Sequence, residues 1–282
     1  YAGANYGMHF PLHTGTEIAL GFADGDPDRP VGLGSLPNPA KGSPVSSKNK
    51  SQNVMKSHTG NQVCLEDKDG KTGVHINSSG GHKIGLDDSG DSKGIAASTS
   101  GGYSVNLDDT NKNITVKTSG GHVLVLDDQG QKVTLTTTSG HTIVLDDAAN
   151  TIHIADGSGN TAVDMDGGAG DIKLTASNNI TLHADANIKI EAGADITLDA
   201  KNITQTAMQK FAAEAKTGMS LNGTTEWTAE AIKVSLAAKA ALAMEGLTVE
   251  STGKASNKMS APMVEVAGTA MTNITGAMVK LN

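Results

Sequence analysis

The chain has 282 residues, enough for one to three domains and a sizeable core. Aromatic residues make up only 2% of it, so its interior has to be built from thin repeated layers of Ile, Val, Leu, Ala and Met rather than around large plugs. The formal net charge of -8, with Arg29 as the only arginine and no basic cluster, argues against a nucleic-acid or anionic-lipid binder.

Proline divides the sequence. Six of the seven prolines fall between Pro11 and Pro44, and the seventh is Pro262. Because proline removes a ladder donor, the long body without it suits continuous β pairing. Residues 1–45 are irregular, with two predicted strands, EIALGF (Glu17–Phe22) and PVGLGSL (Pro30–Leu36), around the turn ADGDPDR. The carboxylates Asp24, Asp26 and Asp28 lack the bidentate Glu that a calcium loop requires, so they read as a solvated turn. The first residues, YAGANYG, carry no Met and no signal-peptide pattern, which suggests a fragment of a longer protein.

Residues 46–170 hold a repeat of 19 to 21 residues: SGGHKIGLDDSG, SGGYSVNLDDTN, SGGHVLVLDDQG and SGHTIVLDDAAN. Leu86, Leu107, Leu126 and Leu145 align, and a diverged copy, TGNQVCLEDKDG, contributes Leu65. Each copy reads as two short alternating strands joined by an Asp/Gly turn. Cys64, the sole cysteine, cannot form a disulfide within the chain and reads as a small buried hydrophobe.

From residue 171 onward the step shortens to eight. Ile172, Ile180, Ile188 and Ile196 keep register, followed two residues on by Leu174, Leu182, Ile190 and Leu198, then by Ala176, Ala184, Ala192 and Ala200. The register slips by one near Ile203, and the alternation resumes in IKVSL, LTVES, MVEV and the final MVKLN. MQKFAAEAKTG and VSLAAKAALAME have helical propensity, but the surrounding period of two favours strands. Five residues of strand and three of turn cannot bury one face alone. Two arrangements fit: a single chain coiled with three octads per turn, or three chains wound together.

No nucleophile elbow, zinc-protease helix motif, phosphate loop or Cys/His pair occurs, so no catalytic, cofactor-binding or metal residues are assigned. His9, His13 and Glu17 cluster only as a loop and strand start. His82, His122 and His141 recur at equivalent places, and three chains would bring three imidazoles to each level, a metal-capable geometry. Their position just before a strand favours outward turn residues instead. DGGAGD misplaces its Asp for a calcium nonapeptide, and the Asp127–Asp128 pair and its equivalents read as turn residues.

Taken together, GMHFPLHTGTEIALGFADGDPDRPVGLGSLPNP, the following GNQVCLEDKDG, the octads and the terminal GAMVKLN resemble the C-terminal half of the VgrG family over essentially the whole chain. That family forms the spike of the bacterial type VI secretion system and is related to the central spikes of contractile phages. The resemblance implies an all-β fold: residues 1–45 end an OB-fold-like domain, 46–170 form a β-prism, and 171–282 form a β-helix with a blunt tip. It implies an intertwined homotrimer cored by Ile172, Leu174, Ile180, Leu182, Ile188, Ile190, Ile196 and Leu198. A non-enzymatic, membrane-puncturing role follows from it. The implied partners are a PAAR-type tip protein, secreted effectors, a secretion tube and hub met through an N-terminal portion, and, transiently, the target membrane; nucleic acid and cofactors are not among them. Such a spike is assembled in the bacterial cytoplasm and then delivered outside the cell or into a target cell. Because the alternation runs to Leu281, Val279, Leu281 and Asn282 are the expected docking face for the tip. A phage-particle spike and a single-chain β-solenoid acting on polysaccharide are the rival readings, and the scarcity of aromatics for sugar stacking weighs against the latter.

Overall fold

The computed structural model describes residues 2–90 and 93–280. The chain forms two compact units, one running through Glu191 and the other starting at Ala192. In the first unit, β1 (Ala2–Gly3) pairs with β2 (Tyr6–Gly7), and β3 (Ile18–Phe22) pairs antiparallel with β4 (Pro30–Ser35). The two longer strands fall where EIALGF and PVGLGSL predict them. Between them, Arg29 forms an ion pair with Asp24 at 3.0 Å across the turn.

The rest of this unit is a thirteen-stranded antiparallel meander in strict chain order. Its strands are β5 (Gln52–Lys56), β6 (Gln62–Glu66), β7 (Gly73–Asn77), β8 (Lys83–Asp87), β9 (Gly94–Ser98), β10 (Ser104–Asp108) and β11 (Asn113–Lys117). They continue as β12 (Val123–Asp127), β13 (Lys132–Thr136), β14 (Thr142–Asp146), β15 (Thr151–Ala155), β16 (Thr161–Asp166) and β17 (Asp171–Ala176). Two strands and two turns make up each twenty-residue copy, which is why the repeat is twice the strand-to-strand step. β17 carries the first octad, so the sheet and the octad pattern overlap by one strand.

The two edges of the meander turn by different chemistry. On one edge, Ser78, Thr99, Thr118 and Thr137 each receive a backbone amide on their hydroxyl, from His82, Tyr103, His122 and His141 at 3.0–3.2 Å. The preceding glycines, Gly81, Gly102, Gly121 and Gly140, sit at φ 83–89°, a region L side chains avoid, which explains the recurrent glycine before the strand. On the other edge, the first Asp of three LDD copies closes the turn. Asp108, Asp127 and Asp146 accept the amides of Asn111, Gly130 and Ala149 at 2.8–2.9 Å. The second Asp extends the ladder through its own amide, as in Asp128 to the Lys112 carbonyl at 3.0 Å. Those pairs are turn residues with a mechanical role.

Across the described residues from 178 to 280 there is neither helix nor strand, and no backbone–backbone hydrogen bond joins them. The Ala/Lys-rich stretches are therefore not helical. What recurs is a bend every seven or eight residues, from Ser177 to Ala277.

The Asn111 amide, and then its side chain, hold the Asp108 carboxyl below the ordinary carboxylate range. For Asp146 the Lys132 ammonium acts first, at 2.6 Å, and the Ala149 amide adds to it. Groups depressed in the folded state stabilise it above the unfolded pKa, and that stabilisation is lost as pH falls through the folded value. Melting temperature is thus expected to hold to about pH 4 and drop progressively below it. Thermal melts of D108N and D146N should start lower at neutral pH and show a shallower acid slope; an unchanged slope would remove these caps from the account.

Candidate interaction face

In a five-residue strand the second and fourth side chains share one face. The register joins these positions into two uninterrupted columns across all thirteen strands. The column beside the LDD turns runs Asn53, Leu65, Val74, Leu86, Ile95, Leu107, and on to Leu145, Ile152, Met165 and Ile172. Beside the glycine turns it starts at Met55, Val63 and Ile76 and ends at Ile143, Ile154, Val163 and Leu174. Only Asn53 and Ala97 depart from large aliphatic residues along either column. Twelve steps of about 4.8 Å give a strip about 58 Å long.

Among the described residues of this unit, no second layer lies over this strip, and most of its side chains are exposed or half-buried. Cys64 is the only buried apolar side chain among the described residues, and it lies in the middle column of the opposite face, between Val54 and His75. Its burial fits the sequence reading, although its neighbours are not the aliphatic columns. Desolvation, reinforced by the Glu66 carboxylate, pushes its thiol up, so it is a poor nucleophile. The rest of that face is mixed: Val54, Val125 and Val144 share its middle column with polar residues, and ion pairs form at Lys132–Asp146 at 2.6 Å and His153–Asp164 at 2.5 Å. An apolar strip this long on one face and a solvated surface on the other mark the strip as an interface. A groove of about 380 Å³ crosses it at Leu135, Ile143, Ile154 and Val163.

The octads continue the same logic without a sheet. Every one of the fourteen bends follows immediately on an Ala or Gly, from Ala176, Ala184, Ala192, Ala200 and Ala207 through to Gly268 and Gly276. The small residue that closes each of the first four octads therefore recurs before every later bend among the described residues. Where the step is seven, as at Lys201, Ile232, Leu247 and Pro262, the bend covers one residue instead of two. The slip near Ile203 thus falls in the corner and leaves the strand phase intact. Solvent exposure separates the two sets: Ile188 and Ile196 are 54% exposed, whereas the corner residues Met208, Ile232 and Leu247 exceed 100%.

Of the residues assigned to the core by sequence, Ile172 and Leu174 join the sheet, facing Met165 and Val163. Ile180, Leu182, Ile188, Ile190, Ile196 and Leu198 keep the same phase relative to the bends, in octads that have no strand partner among the described residues. Val279 also keeps that phase and is half exposed, while Leu281 and Asn282 lie outside the described residues.

The histidines show what the sequence reading left out. Nδ1 of His82 accepts the Ser100 amide at 3.3 Å, that of His122 the Thr138 amide at 3.4 Å, and that of His141 the Gly157 amide at 3.1 Å. Asn61 does the same for Ser79 through Oδ1 at 2.9 Å. Each side chain therefore ties its turn to the equivalent turn of the next copy. An accepting Nδ1 places the ring hydrogen on Nε2. The signal was present in the sequence as TGN, GGH, GGH and SGH at one register. No group of three or more His, Cys, Asp or Glu able to hold a metal occurs among the described residues.

Residues 113–173, β11 to the middle of β17, match the family model of the phage baseplate V C-terminal trimerisation domain. The match supports a phage-spike-related family for this chain. No curated protein matches the chain.

The phase of the octads is testable by paired substitutions. I188D puts a charge on the inward face and is expected to abolish self-association measured by sedimentation. I232T changes a corner and should alter stability by no more than about 0.5 kcal/mol. Equal effects of the two would refute the assigned phase.

Proposed function

We propose that the chain is a structural component of a cell-puncturing spike, a homotrimer in which three copies bury their apolar strips against one another and supply each other's octad partners. The observation that carries this reading is the exposed two-column strip, followed in sequence by octads that form no backbone ladder among the described residues. Each large aliphatic side chain fully covered in an assembly contributes about 1.5–3 kcal/mol, so the strip strongly favours self-association. The family match over 113–173 supports the same reading, since the matched domain is described as a trimerisation domain. A single-chain solenoid would pair octad with octad inside one molecule, and no such ladder occurs among the described residues.

In its finer form the reading is a type VI secretion spike of the VgrG kind. It carries no enzymatic activity of its own, is assembled in the bacterial cytoplasm and is then delivered outward. An OB-fold-like end precedes the prism, and a tube and hub are engaged through an N-terminal portion. A PAAR-type protein docks on Val279, Leu281 and Asn282, and effectors travel with it through the target membrane. The baseplate character of the matched family favours one second reading, the central spike of a contractile phage or phage-like particle.

Absolute mass in solution is the direct test of the trimer. Light scattering should give close to three times 28.7 kDa, with a frictional ratio above that of a sphere; a monomer would overturn the spike reading. For the tip, deletion of Met278 to Asn282 is expected to abolish binding of a PAAR-type protein and leave the trimer mass unchanged. Normal binding by the deletion variant would refute that docking site.

A further inference from the structure

The apolar strip has to end, and its two ends differ. Both β17 and β5 are edges of the sheet, but from β17 the chain goes on into octads with the same aliphatic spacing, whereas no such repeat precedes β5. The column beside the LDD turns stops there on a polar residue: Asn53 donates its side-chain amide to the Asp67 carboxylate at 2.6 Å. The other column stops at Met55, which remains apolar and exposed. Beside Met55 lies a groove of about 320 Å³ shaped by Val63, Ile76 and the turn residues Ser57 and Ser78. By register this groove is the counterpart of the one at β13–β15. Leu135 answers to Met55, Ile143 to Val63, Ile154 to Ile76 and His141 to Asn61.

The two grooves differ in one respect. The later one is bounded only by the meander, whereas the one at the β5 end has an extra wall, Phe10, from the segment Met8–His13. This segment is also fastened at a second point, where the ring of His13 stacks on that of His58 in the β5–β6 turn, with centroids 4.2 Å apart. Just beyond it, Lys41 donates to the Gly15 carbonyl at 2.6 Å and Asn38 to the Glu17 carboxylate at 2.9 Å. The segment is thus held between the β3–β4 hairpin and the first glycine turn, with its one aromatic side chain at the open end of the strip.

We propose that Met8–His13 is a clasp that closes the N-terminal end of the apolar strip, with Phe10 walling the last groove and His13 fastening the segment to the turn. An aromatic residue suits the task because a single side chain presents a large apolar area with little loss of rotamer freedom. The clasp rests on the reading of the strip as a shared interface, for which it supplies a terminus. Nothing beyond β5 then has to cover Met55, and an aliphatic edge that would template end-to-end association is blunted.

Hydrogen exchange read by mass spectrometry on the full chain tests this with F10S and H13A against wild type. In both variants, amides in Gln52–Asn77 are expected to exchange about threefold faster or more, with residues 113–173 unchanged. F10L, which keeps an apolar wall, should stay near the wild-type rate. Wild-type rates over Gln52–Asn77 in F10S and H13A would overturn the clasp. So would equal acceleration over 113–173, because a contact confined to the β5 end should loosen β5–β7 more than β11–β17. The contact lies within one chain, so the comparison holds even if the solution mass shows no trimer; a failed trimer and a failed clasp therefore give different results.

Discussion

One constraint governs the whole chain: a five-residue strand followed by a short turn presents two or three inward side chains and cannot cover them itself. In an ordinary sandwich a second sheet of the same chain would lie over them. Here the meander never folds back, and every strand pairs only with its immediate neighbours in sequence. The apolar columns are therefore continuous and uncovered in one chain. The tract from residue 178 to 280 takes the same constraint further, since no backbone–backbone hydrogen bond joins its described residues. Buried backbone groups without partners are costly, so a folded octad tract needs strands from elsewhere.

A strip that works only when held flat and in register places heavy demands on its turns. Slippage by one residue would send each aliphatic side chain to the solvent face. The two edges resist this by independent means. Hydroxyl-closed glycine turns fix one edge, and carboxylate-closed turns fix the other. The ties from Asn61, His82, His122 and His141 to the following turn add a longitudinal link that strand pairing alone does not provide. Between His82 and His122, Tyr103 stands in place of the imidazole acceptor, so the series of ties is interrupted at that copy.

Most of the meander was legible in the sequence because its signals are local. Alternation over five residues, Gly–Gly before the first strand of a copy and Asp–Asp at its end each specify geometry within a few residues, and the aligned leucines from Leu65 to Leu145 all fall in one column. The strands of the N-terminal hairpin were legible for the same reason. The histidine ties were not, because the partner of each side chain lies 16 to 18 residues away and is a backbone amide that no residue type betrays. Cys64 was read as buried from its composition class, but the face on which it is buried depends on whether it is the third or fourth residue of its strand. The alignment of its neighbour Leu65 with the later leucines makes it the third, which turns it to the opposite face.

The step from octads to heptads shows why the corner is where such a chain tolerates change. From Gly193 to Ala200 three corner residues precede Ile196, Leu198 and Ala200; from Lys201 to Ala207 only two precede Ile203, Gln205 and Ala207. Had the missing residue been taken from the strand, the alternation would have inverted and a charged or polar side chain would have faced inward. Removing it from the corner keeps the phase, and a single-residue bend replaces the double one at Lys201, Ile232, Leu247 and Pro262. The small residue before every bend allows both corners, because Ala or Gly leaves room for the chain to change direction close to its neighbours. Sequence drift can therefore accumulate at the corners, even to the point of placing Ile232 and Leu247 fully in solvent, while the inward triplet stays constrained. The register of the tract thus depends on the Ala and Gly before each bend more than on the spacing of eight that first draws the eye.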